Sequence, residues 1–541
     1  PKIHFDIFLP SKEINIIKDG QLVVVTIVDW GDKKTNPTGK IKEVLGYPGE
    51  HQTEIHAILA EYNFTSKFEK NIEDAAKHIS SKITPNEIKK RRDFRNITTF
   101  TIDPYDAKDF DDALSIQQLE NGNWEIGIHI ADVSHYIKKN DIIDKEAQER
   151  ATSIYLVDRV IPMLPEVLSN NLCSLRPHEE KLCFSAVFEL NEKAKIINQW
   201  FGRTVILSDH RFTYEDAQDI IINKKGKFSE ELLKLDSLAK VLRAERMKNG
   251  AISFERLETK FKIDEEGNPI SIYFKESKDA HKLIEEFMLL ANRKVAEYIG
   301  KQSLTFVYRI HDRPDPDKLD VLSLFLKKFG YNLQTENKKS IAQSMNKVLK
   351  DVQGKQEANM IETLSIRTMA KAVYTTENIG HYGLGFNHYT HFTSPIRRYP
   401  DVLVHRLLQY YLDKGNSVNR SEIEHLCKHS SEMEIIASKA ERDSIKYMQT
   451  KYISQFVGHK FDGIISGVTD FGIFVEVKDT ACEGLIRLKD IPGDFYLYDE
   501  KNYCVYGSQT KKTLTLGDTL KIKIRKVNIE KREIEMVIIN I

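Results

Sequence analysis

The chain changes character twice along its length, and this constrains its fold more than any single motif. Strand-like runs open it: LVVVTIVDW (22–30), then GKIKEVLG (39–46) after the turn-like DKKTNPT, then EIHAILAEYNF (54–64), read as a further strand. Strand-like runs also close it: FDGIISGVTDFGIFVEV, CEGLIRL, DTLKIKIRKVN and REIEMVII, with turn signals at Thr469-Asp470 and Gly517-Asp518. Between these ends the signals mix. HKLIEEFMLLANRKVAEYIGK (281–301) carries Leu283, Ile284, Phe287, Met288, Ala291, Val295 and Ile299 at helical spacing, which predicts a helix with one face in a core. The stretch 421–457 is a long, charge-rich helical pattern with few breakers. A chain of 541 residues is too long for one core. The expected fold is therefore multidomain α+β. Small β-barrels at 1–66 and 458–541 flank a large mixed α/β domain at 97–452, and a polar, basic linker at 67–96 contains SKITPNEIKKRRDFR.

Composition narrows the setting. Hydrophobic residues make up 41% and charged residues 30%, which fits an ordinary soluble globular protein. Eighty basic residues balance eighty acidic ones, yet a zero total leaves a nucleic-acid partner open, because local fields decide binding. No apolar run reaches the roughly 20 residues a membrane span needs, and the start has no signal-peptide pattern. It also lacks a methionine, so the chain is read as beginning inside a longer protein. Cys173, Cys183, Cys427, Cys482 and Cys504 are scattered, odd in number and form no CxxC pair, which predicts reduced thiols in a cytoplasmic protein.

Against that background one stretch stands out. TIDPYDAKDFDDAL (101–114) places Asp103, Asp106, Asp109, Asp111 and Asp112 in a loop between the strand patterns TTFTI and ALSIQQL. Like charges so close repel, and a divalent cation reverses the sign of that interaction. Carboxylate oxygens are hard ligands and select magnesium, manganese or calcium. An EF-hand calcium loop is a poor match. Counted from Asp103, its sixth position holds Lys108 instead of glycine, and its twelfth Leu114 instead of glutamate. Adjacent Asp111 and Asp112 would face opposite ways in a regular strand, so both reach one site only from an irregular turn. Composition alone leaves a solvated acidic loop as the other reading.

HFTSPIRRYPDVLVHRLL (391–408) offers the complementary charge. Ser394 suits a helix cap, Pro395 the first helical position, and Arg397 the first turn. Pro400 would interrupt such a helix, so a single turn from Pro395 followed by a helix from Pro400 is the alternative. In either form Arg397, Arg398 and backbone amides are able to meet a phosphate. A capped surface helix with arginine salt bridges is the plainer reading. His381, His388, His391 and His405 do not have a standard metal-ligand spacing and are expected to pack and hydrogen-bond.

These segments together resemble the RNase II/RNB exoribonuclease family and, within it, the bacterial RNase R-type branch. The likeness rests on the acidic stretch followed in order by IADVSHYI, VIPMLPEVLSNNLCSLRP, GAISFE, DAHKLIEEFMLLAN, YRIHDRP and HFTSPIRRYPDVLVHRLL, and it spans nearly the whole chain. It implies OB-type barrels, a cold-shock-type domain in front and an S1-type RNA-binding domain behind, around an RNB catalytic domain. It implies that Asp103, Asp109, Asp111 and Asp112 hold magnesium, or manganese in its place, and leaves Asp106 aside. It assigns Arg397 to the transition state and Tyr155, in TSIYLVDRVIPMLP, to the last nucleotide at the 3′ end. Arg398 is a second phosphate contact on the reading of its own turn. The resemblance also implies a helix-turn-helix and a first cold-shock domain before residue 1, and a lysine-rich tail after the S1-type domain.

The activity so implied is processive 3′→5′ hydrolysis of RNA to nucleoside 5′-monophosphates by two-metal catalysis. Single-stranded RNA and structured RNA with a 3′ overhang are the expected substrates, with no membrane partner and a monomeric protein. In such a site one metal activates water and the other steadies the departing oxygen. Phe461, Phe471, Phe474 and Trp30 are candidate stacking platforms on the barrels, with Lys521, Lys523 and Arg525 near the first three in sequence; core packing is the competing role for each phenylalanine. Two non-enzymatic alternatives are a non-catalytic RNA-binding protein on an RNB-like frame and a translation-linked binding module. The first would be marked by loss of the acids, and the second leaves the large middle domain unexplained.

Overall fold

The computed structural model describes residues 5–31, 36–254, 258–355, 357–500 and 502–540. The turn expected at 32–35 and the last residue of GAISFE lie outside them. Apolar and β-branched strands at the centre form a seven-stranded mixed sheet. Its order is His210–Thr213, Thr99–Asp103, Asp112–Gln118, Trp124–Ala131, Glu180–Leu190, Ile196–Leu207 and Arg92–Asp93. The two outermost pairings are parallel and the four between them antiparallel. Ile126, Ile128, Ile130, Phe184, Ala186 and Phe188 on neighbouring strands are wholly buried. The helix Asp279–Gly300 packs into the same core through Leu283, Phe287, Ala291, Val295 and Ile299, as its stripe predicts. Each larger side chain so buried contributes about 1.5–3 kcal/mol.

The helix Arg420–Ile453 lies where the charge-rich pattern predicts one and is about 51 Å long at 1.5 Å per residue. Its Ala437, Ala440, Tyr447 and Met448 share a buried cluster with Ile55, Ile58 and Leu59 near the start of the chain and with Ile154, Leu156 and Ile161. Its last residue, Ile453, sits in the core of the C-terminal barrel. One helix thus joins all three regions. That barrel is closed by Lys460–Val468, Gly472–Val477, Glu483–Arg487, Glu533–Asn540 and Thr519–Asn528 in that order. Between its third strand and the strand Thr519–Asn528 the chain adds a three-stranded sheet, Tyr496–Asp499, Cys504–Gly507 and Thr513–Thr515, which the sequence reading did not anticipate.

Two local expectations are corrected. EIHAILAEYNF is not a strand but most of the helix His51–Glu61: His51, Ile55, Ile58 and Leu59 are buried at spacings of three and four, a helical period that a short apolar run does not separate from a strand. The described strands of the opening segment are Leu22–Asp29 and Thr38–Gly46, paired antiparallel, with Phe8 adding one parallel bridge to Thr38. The polar stretch at 67–96 holds two short helices, Lys70–Lys77 and Pro85–Lys89, and its Arg92–Asp93 joins the central sheet. No helix among the described residues is long and apolar enough to cross a membrane.

Candidate active site

The acidic loop is built by a hairpin whose turn refuses to be regular. Strand Thr99–Asp103 ends on an aspartate, strand Asp112–Gln118 begins on one, and the register Thr99↔Ser115 and Phe100↔Leu114 brings the two ends of the loop together. Backbone bonds and the Ser174 hydroxyl then fix its path. Phe110 N–H donates to Ser174 Oγ at 3.0 Å, Ser174 Oγ donates to Lys108 carbonyl at 2.8 Å, Leu175 N–H to Phe110 carbonyl at 3.0 Å, and Ala131 N–H to Asp111 carbonyl at 2.9 Å. Phe110 is buried between the acids and anchors the loop, which turns Asp109 and Asp111 to the same side as the strand ends.

Burial makes this concentration of carboxylates costly. Asp103 and Asp111 are buried, and Asp109 and Asp112 half-buried. Loss of hydration, with the charge of Asp112 added, pushes the Asp103 carboxyl up to about 8. Burial pushes Asp112 up to about 6, against the pull of Arg397. Asp109 and Asp111 are raised by the same cause. Asp103 Oδ2 is buried and has no hydrogen-bond partner. Asp106 is exposed and stands apart.

Across from the acids stands the turn 395–397. The helix does not start at Ser394; it is Tyr399–Leu412, with Pro400 in its first turn, so the single-turn alternative is the one formed. Ile396 N–H donates to Asp111 Oδ1 at 2.9 Å, and Arg397 Nε lies 3.6 Å from Asp111 Oδ2. Arg397 Nη2 donates to Ser394 Oγ at 3.0 Å, and the side chain remains 40% exposed, so its charge is held at the cluster but open to a ligand. Arg398 turns elsewhere: its Nε and Nη2 donate to the two oxygens of buried Asp401, each at 2.9 Å. Its fork is committed to closing the turn, together with Ser394 N–H, which donates to Asp401 Oδ1 at 2.7 Å.

Tyr155 reaches the site through the backbone. Tyr399 N–H donates to Ala151 carbonyl at 2.9 Å and Ser153 N–H to Arg397 carbonyl at 3.0 Å, so the segment leading to Tyr155 is laced to the arginine turn. Tyr155 N–H donates to Glu441 Oε1 at 2.9 Å, on the long helix. Tyr155 is 40% exposed and its phenol feels Arg397, Asp109 and Asp111.

Three neighbours escaped the sequence reading. Glu441 holds the Tyr155 backbone. Arg211 places its guanidinium 5.3 Å from the Phe110 ring centroid and donates to the Pro104 and Tyr105 carbonyls, clasping the acidic loop. Tyr214 stacks on His281 at 4.0 Å with the rings 8° from parallel, and its phenol feels Asp112 and Asp103. No local motif marks any of them; only the pairing of His210–Thr213 beside Thr99–Asp103 brings Arg211 and Tyr214 to the site. The four histidines pack: His405 Nε2 meets Phe392 carbonyl at 2.7 Å, His391 Nδ1 meets Tyr374 hydroxyl at 2.7 Å, His381 stacks on His311 at 5.0 Å, and His388 lies 6.4 Å from the Tyr308 ring. Of the barrel aromatics, Phe471 and Trp30 are 55% and 65% exposed, whereas Phe461 packs on the barrel core.

The donors fit a hard divalent cation. They are all carboxylate oxygens, one of them buried and unpartnered, and their mutual repulsion is what a cation relieves. Among the described residues no three His, Cys, Asp or Glu side chains already converge as a ligand set. The fit is therefore one of donor type and number.

The chain resembles known proteins along its whole length. The RNB domain family matches residues 91–414, the cold shock domain residues 1–69 and the S1 RNA binding domain residues 454–538. The chain is 36% identical to Ribonuclease R of Aquifex aeolicus, over 99% of this chain and 77% of that protein. Its fold is similar to that of Mycoplasma genitalium RNase R in complex with ribose methylated single-stranded RNA, with a TM-score of 0.93 and 28% identity over 99% of this chain and 85% of that one. Against the same protein in complex with double-stranded RNA the TM-score is 0.87, with 27% identity over 99% and 92% of the two chains.

Proposed function

Because the chain belongs to the RNase II/RNB exoribonuclease family, in its Ribonuclease R branch, we propose that it is a processive 3′→5′ exoribonuclease releasing nucleoside 5′-monophosphates. The observation that supports the reading is the contact between one acid of the loop, Asp111, and the turn that carries Arg397. Asp111 accepts from the Ile396 amide while Arg397 stands 3.6 Å from its other oxygen. In this reading Asp103, Asp109, Asp111 and Asp112 hold a pair of magnesium ions. When bound, such ions supply an activated water and steady the departing 3′ oxygen.

The protein's own groups do the rest. Arg397 offsets the charge that grows on the non-bridging phosphate oxygens, a contribution that preorganised donors make at no reorganisation cost. Its bond to Ser394 Oγ and the Arg398–Asp401 pair hold it in place before substrate arrives. Arg398 therefore acts as a positioning residue. Tyr155, exposed beside Arg397, lies against the terminal nucleotide and fixes which linkage meets the acids. The exposed Phe471 and Trp30 offer stacking faces for bases further along the strand. Single-stranded RNA is the basic substrate, and RNA with a 3′ overhang is degraded through its structured part. The five cysteines, free and buried, suit action in the reducing cytoplasm, and the protein acts as a monomer.

RNA labelled at its 5′ end and, separately, at its 3′ end tests the reading. With magnesium, the 3′ label should appear at once as a mononucleotide while the 5′ label shortens progressively; EDTA should stop both. Prompt release of the 5′ label, or internal fragments, would contradict it.

A further inference from the structure

The segment following GAISFE folds back as a hairpin, Glu258–Ile263 against Pro269–Lys275, outside the central sheet. Its two faces differ as period-two alternation demands. On one, Phe261 and Ile263 pack toward the cluster of the long helix and Ile272 toward the barrel core. On the other lie Lys260, Lys262, Tyr273 and Lys275, with Glu258 opposite Lys275. Lys260 is paired across the strands with Tyr273, which is 52% exposed. Glu258 ties up part of this charge, at 2.8 Å from Lys260 Nζ, and leaves the face net positive. At its near end, Lys275 Nζ stands 5.7 Å from the ring centroid of Tyr214, the tyrosine beside Asp103 and Asp112.

We propose that this outward hairpin face is a track for single-stranded RNA, with Tyr273 as a base-stacking platform and Lys260, Lys262 and Lys275 as phosphate contacts leading into the acidic site. The inference rests on the exoribonuclease reading for its ligand. The chemistry is that of single-strand recognition, in which an exposed aromatic amid cations binds bases without regard to sequence. From Lys275 to Ser271 the track runs roughly 13 Å at about 3.3 Å per residue. At about 3.4 Å per stacked base, that is on the order of four nucleotides. The hairpin's inner face is held against the long helix and the C-terminal barrel, which leaves Lys262 and Tyr273 exposed on the outer face and turns Lys275 toward Tyr214.

Binding in EDTA separates the track from turnover. Fluorescently labelled RNAs of 3 and 12 nucleotides are titrated with the whole chain, as wild type, Tyr273→Ala, Tyr273→Trp and the double variant Lys260→Ala/Lys262→Ala. For the 12-mer, Tyr273→Ala should weaken affinity by roughly five-fold to a hundred-fold, the range of one lost base stack, and Tyr273→Trp should restore it. The double lysine variant should weaken the 12-mer and flatten its salt dependence by up to about two charges. For the 3-mer, affinity should stay within a factor of two in every variant. Unchanged 12-mer binding in Tyr273→Ala with an unchanged melting temperature would overturn the track, as would equal losses for both lengths. Failure of the exoribonuclease reading shows separately, as wild-type protein that binds the 12-mer and releases no mononucleotide when magnesium is added.

Discussion

Single residues at the site are held in a state the fold would not choose on its own. Burial raises the carboxyls of Asp103 to about 8 and Asp112 to about 6, from an ordinary value of 3.8. A carboxyl raised in the folded state favours folding below its unfolded pKa and loses that contribution as pH rises through the folded one. In EDTA, thermal melting should therefore fall as pH climbs from 5 to 9, across the two raised values. Asp103→Asn should flatten that fall, and magnesium should reverse it at pH 8. Identical melting curves for wild type and Asp103→Asn would show that the acids carry no such strain. Tyr155 gives a different readout: Tyr155→Ala should lengthen the smallest end product of digestion, because the terminal nucleotide is no longer fixed against the acids, and an unchanged end product would remove that role. The acids were legible in sequence because five aspartates in ten positions are anomalous wherever they fall. Tyr214 and Arg211 were not, since an ordinary tyrosine and arginine gain meaning only from the strand laid beside Asp103.

Among the elements, the turn between Ser394 and the helix Tyr399–Leu412 decides how well the arginine is aimed. Arg398 and Asp401 form a bidentate pair with Asp401 wholly buried, and Asp401 also accepts the Ser394 amide. Breaking such a pair leaves an uncompensated buried charge and costs about 3–5 kcal/mol. Asp401→Ala should lose stability of that order by denaturant unfolding and should also slow hydrolysis, although Asp401 touches no substrate; a variant with full stability and full rate would mean the turn is not held this way. Sequence patterning located the elements unevenly. The stripe of Asp279–Gly300 and the pattern of Arg420–Ile453 were long enough for periodicity to speak. His51–Glu61 is ambiguous in sequence because a short apolar run fits both periods, and Pro400 allows two forms of the arginine turn that only the fold separates. The hairpin Glu258–Lys275 is hard to read from sequence because its first strand alternates lysines with apolar residues and its second mixes apolar and polar residues without a clean period.

At the scale of the whole molecule, the long helix fixes the opening segment, the core of the central sheet and the barrel to one another, through the cluster it shares with Ile55 and Ile58, through Ile423 and Cys427, and through Ile453 in the barrel core. A strand bound by the barrel is thereby held at a set distance from the acids, and binding is spread over more surface than cutting. This chain should digest a duplex bearing a 3′ overhang of about ten nucleotides and stall on a blunt duplex, as judged by mononucleotide release. Equal digestion of both would show that entry does not depend on a single strand. The same separation of binding from cutting gives the most direct test of the site. With magnesium and single-stranded RNA, Asp112→Asn should keep its affinity for RNA within a factor of about three and release mononucleotide at least 100-fold more slowly than wild type, the loss expected when one metal-holding group is removed from a preorganised site. Wild-type rates of release from Asp112→Asn would contradict the claim that these acids cut the chain.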